Sequence, residues 1–166
     1  MGFLPKYDIN YDIMKAIDVA KWFINETSPD QDPLKLQKLI YLAQGFSFAF
    51  NDKELFNEDM EAWVHGPVIK SICQLFKNYR YEPIVEKYKL SDIDKDSLSI
   101  LEYVRDNYSQ YEAKFLEELS HSQDPWNSAR DALDYDELSN KAISKYQIAN
   151  YFTNLIYQPS LECDEY

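Results

Sequence analysis

The chain has 166 residues, 45% of them apolar and 16% aromatic, which suits one globular domain with a sizeable core and excludes a disordered chain. Its formal net charge of −12 argues against binding nucleic acid or an anionic membrane, and it fits a basic partner as well as a plain acidic cytoplasmic protein. Its two cysteines, Cys73 and Cys163, lie far apart in sequence and make no disulfide framework, in keeping with a reducing compartment.

Residues 1–11 read as an irregular lead-in. They lack the long apolar core of a signal peptide, and no apolar run approaches membrane-spanning length, so a soluble, cytoplasmic protein is expected. Ile13, Ala16, Ile17, Ala20 and Ile24 repeat at helical spacing, and Thr27-Ser28-Pro29-Asp30 ends that helix. Asp32 then caps a second helix with Pro33 at its first position. Its apolar stripe is Leu36, Leu39, Ile40, Ala43 and Phe50, widened by Leu34, Leu42 and Phe46 into a helix buried on much of its girth. Asn51-Asp52-Lys53 is a turn, after which residues 54–56 and 60–64 are expected to pair as a short hairpin.

Ala62-Trp63-Val64-His65-Gly66-Pro67-Val68 follows. Gly66 tolerates backbone angles that other residues resist, and Pro67 suits a first helical position, so this run predicts a sharp strand-to-helix turn. The helix it launches shows Val68, Ile72, Leu75, Phe76 and Tyr79 on one face. A polar connection from residue 80 to 96 contains one extended piece, Pro83-Ile84-Val85. Leu98, Leu101, Val104 and Tyr108 mark a helix starting near Asp96 or Ser97, and residues 111–119 a shorter one with Phe115, Leu116 and Leu119 inward. Asp124-Pro125-Trp126 reads as cap, first helical residue and anchor of a further short helix ending near Ala132. A capping box, Ser144 answered by Gln147, opens the last helix, whose stripe is Ile148, Tyr151, Phe152, Leu155 and Ile156 and which Pro159 stops.

The elements together predict a mainly α, single compact domain over residues 12–158, with about six to seven helices and one short β-hairpin before the Gly-Pro turn. Residues 159–166 form an acidic tail expected to be mobile. No basic helix-turn-helix is appended, so promoter binding by this chain alone is not expected.

Catalytic chemistry is poorly represented. His65 and His121 lack the closely spaced partners of a metal site, and a hydrogen-bonding role that locks the Gly-Pro or Asp-Pro-Trp turns suits them better. Cys73 falls near the inward face of its helix, and Glu61 beside Trp63 has no second carboxylate to work with. No G-x-S-x-G, Walker or Rossmann pattern occurs. No enzyme activity, cofactor or metal is expected.

Three motifs occur in order: Leu34-Lys35-Leu36-Gln37-Lys38-Leu39-Ile40-Tyr41 with Ala43-Gln44-Gly45, then Trp63-Val64-His65-Gly66-Pro67-Val68, then His121-Ser122-Gln123-Asp124-Pro125-Trp126. This "KLQKLLY", "W-x-x-GPV", "H-x-x-x-PW" series resembles the Panacea domain, the SocA-like antitoxin domain, over residues 16–152, with Ile40 in place of the last leucine of the first motif. The resemblance implies a small, mostly helical intracellular antitoxin that neutralises a toxin by binding it directly. In some members the toxin is delivered to a protease. Different members are paired with unrelated toxins, and members often lie in prophages. Two other roles stay open: an acidic, phage- or prophage-borne protein that inhibits a host nucleic-acid-binding defence protein, and an adaptor presenting a client to a protease.

Three surfaces are candidates for a partner. On the second helix Gln37, Tyr41, Gln44 and Phe48 form a row flanked by Lys35 and Lys38. It serves either as an interface centre or as a packing face that ties down loop carbonyls against Trp63 and His65, and the signature residues Gly66, Pro67, His121, Pro125 and Trp126 are open to the same two readings. The acidic stretch 112–137, with Glu117, Glu118, Asp131, Asp134, Asp136 and Glu137 prominent, could cover a basic groove on a partner or simply be a solvated face. The tail, 161–166, is either a linear recognition element or a frayed end.

Overall fold

The computed structural model describes residues 13–27, 29 and 31–158. The lead-in, the acidic tail, Ser28, Asp30, Pro159 and Cys163 lie outside the described residues. Seven α-helices occur among the described residues: α1 (Ala16–Glu26), α2 (Pro33–Asn51), α3 (Lys70–Phe76), α4 (Lys95–Tyr108), α5 (Ala113–His121), α6 (Asp124–Ala129) and α7 (Lys145–Tyr157). A 3₁₀ turn, Lys77–Tyr79, extends α3, and a two-stranded antiparallel hairpin, β1 (Glu61–Trp63) and β2 (Gly66–Val68), sits between α2 and α3. The domain is mainly α.

α2 is the axis of the fold. Asp32 caps it by accepting a hydrogen bond from the Lys35 N–H at 2.8 Å, and Pro33 opens it. α1, α3, α4, α5, α7 and β2 all pack against it. Of its 19 residues 14 are buried, so its polar side chains have no water to fall back on and must be satisfied inside the protein. Gly45 is the point of closest approach. A Cβ there would lie 2.3 Å from the Phe152 ring, so glycine is what lets α7 seat that ring on α2. Phe152 in turn meets Phe46 and Tyr41 edge-on, at centroid separations of 5.0 and 5.5 Å.

α4 is capped by Asp94, which accepts from the Ser97 N–H, two residues ahead of the predicted start. Ser144 caps α7 through the Gln147 N–H. Five stripe residues differ from expectation. Ile13, Phe50, Leu75, Phe115 and Leu155 are each about half exposed. Phe50 is at the last turn of α2, where it stacks on Phe46 and meets Tyr103 edge-on. Phe115 stacks on Tyr111 at the start of α5, and Leu116 takes the inward position.

The hairpin needs a larger correction. Residues 54–56 do not pair with 60–64. The ladder instead joins Glu61 to Val68, Ala62 to Pro67 and Trp63 to Gly66, with Val64-His65 as the turn. Pro67 is therefore a strand residue, and α3 starts only at Lys70. The reason lies in the ladder. The Ala62 backbone points away from β2, its N–H donating to the Lys141 carbonyl and its carbonyl accepting from Arg130. Opposite a residue so oriented, the missing N–H of proline removes no ladder bond. Residues 141–143 run along the far side of β1, where the Ile143 N–H donates to the Met60 carbonyl.

Candidate functional site

The three sequence motifs converge on the hairpin. Gln37 lies one turn into α2 and meets Ile69 just after β2. Its Nε2 donates to the Ile69 carbonyl at 3.1 Å and its Oε1 accepts the Ile69 N–H at 2.9 Å. Lys38 Nζ donates to the Pro67 carbonyl at 3.1 Å. These two side chains give the outer edge of β2 the partners that a third strand would otherwise supply. That is why 66–69 stays extended where local preference favours a helix.

Two helical turns later Gln44 does the same for another segment. Its Oε1 accepts from the Leu55 N–H and, at a longer 3.4 Å, from the Phe56 N–H, while its Nε2 donates to the Phe56 carbonyl. Between the two glutamines, the Tyr41 hydroxyl donates to Gln123 Oε1 at 2.8 Å, joining the first motif to the third. Lys35, Gln37, Lys38, Tyr41 and Gln44 are all buried. As an exposed recognition row this face is therefore corrected: its hydrogen bonds are made within the chain, because neighbouring elements surround α2 there. Phe48 alone is half-buried.

Gly66 has φ +104°, a conformation that L side chains rarely adopt, and a Cβ there would lie 2.7 Å from both Lys38 Cε and Ser120 Oγ. Glycine is required by angle and by space. Beside it, His65 Nδ1 lies 2.8 Å from Glu117 Oε1, with the imidazole exposed and the carboxylate buried. Burial works to raise the Glu117 pKa, but the His65 hydrogen bond and charge, with Lys114 behind them, hold it below the usual glutamate value. Burial pushes the Lys38 ammonium down to about 7, against the opposing pull of Glu117 and Asp32.

The third motif closes the cluster. Trp126 is buried, and its Nε1 donates to the Trp63 carbonyl at 2.8 Å. Trp63 is only half-buried and donates its own Nε1 to Glu61 Oε2. His121 stacks on Trp126 at 4.1 Å and hydrogen-bonds the Tyr135 hydroxyl at 3.0 Å. Burial, the largest influence on it, holds the His121 pKa below its ordinary value. Pro125 is buried beside Trp126 in the first turn of α6, which is preceded by Gln123 instead of being capped by Asp124.

Of the acidic candidates, Glu117 is buried and leaves the surface set. Glu118, Asp131, Asp134, Asp136 and Glu137 are exposed. The residue that sequence reasoning missed is Arg130. It is buried, with Nη1 on the Ala62 carbonyl, Nη2 on the Asp134, Tyr135 and Glu137 carbonyls and its guanidinium 5.0 Å from the Trp126 ring centroid. The signal was present: a lone arginine directly after a Pro-Trp helix and directly before a run of acids.

Among the described residues no group of three or more His, Cys, Asp or Glu side chains is placed to hold a metal. His65 and Glu117 form a close acid–base pair in the cluster, and the Ser120 hydroxyl donates to the Glu117 backbone carbonyl at 2.7 Å. No helix among the described residues is long and apolar enough to cross a membrane. The motif residues thus define a mainly α domain in which a buried polar helix face secures a β-hairpin. The model of the family described as antitoxin SocA-like, Panacea domain, matches residues 36–127, more than half of the chain, and the chain belongs to that family. No curated protein and no solved structure matches it.

Proposed function

We propose that this chain is the antitoxin of a toxin–antitoxin pair and neutralises its toxin by direct protein–protein binding, in the cytoplasm and without catalysis or cofactor. The observation that carries this reading is membership of the SocA-like antitoxin family over residues 36–127. The internal hydrogen bonding of Gln37, Lys38, Tyr41 and Gln44 supports it, because side chains engaged with the chain's own groups suit a scaffold. A rigid scaffold suits neutralisation by occlusion, since little ordering entropy is lost on binding.

The test is co-expression with the product of the adjoining gene, the latter driven from an unrelated promoter. Co-elution on size-exclusion chromatography together with restored growth is the expected result. Growth restored only when the neighbour is driven from its own promoter would replace direct neutralisation with transcriptional repression. Immunoblotting the neighbour separates the two modes of action: steady levels indicate occlusion, and loss of the protein indicates delivery to a protease.

A further inference from the structure

We propose that the antitoxin's docking surface is the groove between the β1–β2 turn and the 131–140 loop, and that its occupant is a basic segment of the partner protein in which an apolar side chain lies between arginines or lysines. The inference rests on the antitoxin reading for the existence of that partner. The groove has a volume of about 640 Å³, with Trp63, Val64, Val68 and Leu138 along its apolar part and His65 and Asp136 beside them.

Leu138 is 88% exposed, and Tyr135 close by is 65% exposed. A leucine this exposed next to a half-buried tryptophan is an apolar anchor site without its counterpart. Asp136 lines the groove with Leu138, and Asp131, Asp134 and Glu137 precede that leucine in the same loop; all four are exposed, and none of them is in ion-pair contact with a described cation. Arg130 would be the natural partner for these carboxylates, but its guanidinium is turned inward onto four backbone carbonyls. The same contacts fix the loop backbone, and Tyr135 pins it a second time through His121. The backbone that carries these carboxylates is thus held in place while the carboxylates have no ion-pair partner among the described residues, which suits a receptor for cations.

Charge selects among occupants. A nucleic acid strand would be repelled by this rim. A second copy of the chain would bring another carrier of net charge −12 against it. A basic protein segment gains from both parts of the groove: cations on the rim, and an apolar side chain against Trp63 and Leu138. Trp63, Val64 and Val68 lie within residues 36–127, matched by the family model, whereas Leu138 and the acidic residues 131–137 lie beyond them. Recognition would therefore combine residues of the family-matched segment with a loop outside it.

The experiment uses the full chain and two probes. The first is a fluorescent peptide alternating arginine and leucine, followed by anisotropy and by amide NMR shifts; a peptide alternating glutamate and leucine is its control. The triple variant D134K/D136K/E137K and the single variant Leu138→Ser alter the groove, and D92K/D96K/E102K makes the same charge change elsewhere. The expected result is binding of the arginine peptide with shifts at Trp63, His65 and Leu138. The loop triple should weaken it about tenfold or more, Leu138→Ser several-fold, and the remote triple about twofold or less. Equal losses from both triples, or shifts centred outside the groove, would overturn the proposal. The second probe is the growth-rescue assay. Full rescue by the loop triple would overturn the groove while leaving the antitoxin reading intact. Absence of rescue by the unaltered chain would overturn that reading, and the peptide measurement would still judge the groove.

Discussion

Gln37 pairs with both backbone groups of Ile69, donating to its carbonyl at 3.1 Å and accepting from its N–H at 2.9 Å. A side-chain amide here completes the edge of a strand, and it does so from a helix. Gln37→Leu keeps the approximate volume but leaves the buried Ile69 N–H without a partner, while the Ile69 carbonyl keeps its bond from the Cys73 N–H at 3.0 Å. It should cost about 1–3 kcal/mol, the penalty of one orphaned group. Urea unfolding followed by far-UV circular dichroism measures this. A loss below about 0.5 kcal/mol would show that water replaces the amide.

Gly66 should tolerate no side chain. Its φ of +104° and the 2.7 Å approach of Lys38 Cε and Ser120 Oγ act together. Gly66→Ala should lose about 2–4 kcal/mol. Adding Ser120→Ala should recover only part of that loss, because the backbone angle stays unfavourable. Thermal melts of the two variants read the difference.

Tyr41 is 1% exposed, and its hydroxyl bonds the buried Gln123. Tyr41→Ala should cost about 3–5 kcal/mol, as expected for truncating a buried aromatic. Tyr41→Phe isolates the hydroxyl and should cost about 1–3 kcal/mol, since Gln123 Oε1 loses its donor. An unchanged melting temperature in Tyr41→Ala would contradict the burial.

Lys38 makes stability depend on alkaline pH. Its pKa falls from 10.5 to about 7 on folding, so between those values the unfolded chain holds more protons than the folded one. Stability therefore rises as pH is raised from about 7 towards 10.5, by at most about 1.4 kcal/mol per pH unit from this group. Lys38→Met removes the titration. The stability of the parent relative to that variant should climb with pH across this window and stay level below about 7. A constant difference from pH 7 to 10 would mean that the ammonium remains charged inside the fold.

At the acid end Glu117 acts in the opposite range. Its pKa is depressed below 4.5, because the His65 bond and Lys114 outweigh the burial that would raise it. The stabilisation is complete above about 4.5 and is lost as pH falls through the lower, folded value. Glu117→Gln should unfold with a shallower dependence on pH below about 4.5 than the parent, measured by equilibrium unfolding in that range.

The sequence by itself was enough for the helices, because their signals are local. Asp32-Pro33 starts α2 and Ser144 starts α7 through contacts within one turn, and the apolar spacing of α4 and α7 marks their inward faces. It was also enough for the family, since three ordered motifs survive without knowledge of their contacts. The hairpin register, the strand role of Pro67 and the burial of Lys35, Gln37, Lys38, Tyr41 and Gln44 were decided only by the tertiary structure. Gly66-Pro67 favours a helix start locally, but Gln37 and Lys38, 32 and 29 residues from the groups they bind, make the extended form the satisfied one. A polar row looks the same in sequence whether water or a neighbouring backbone satisfies it. Arg130 shows this from the other side: among acids it reads as a surface cation, yet the carbonyls of a folded loop draw it inward and leave those acids facing outward.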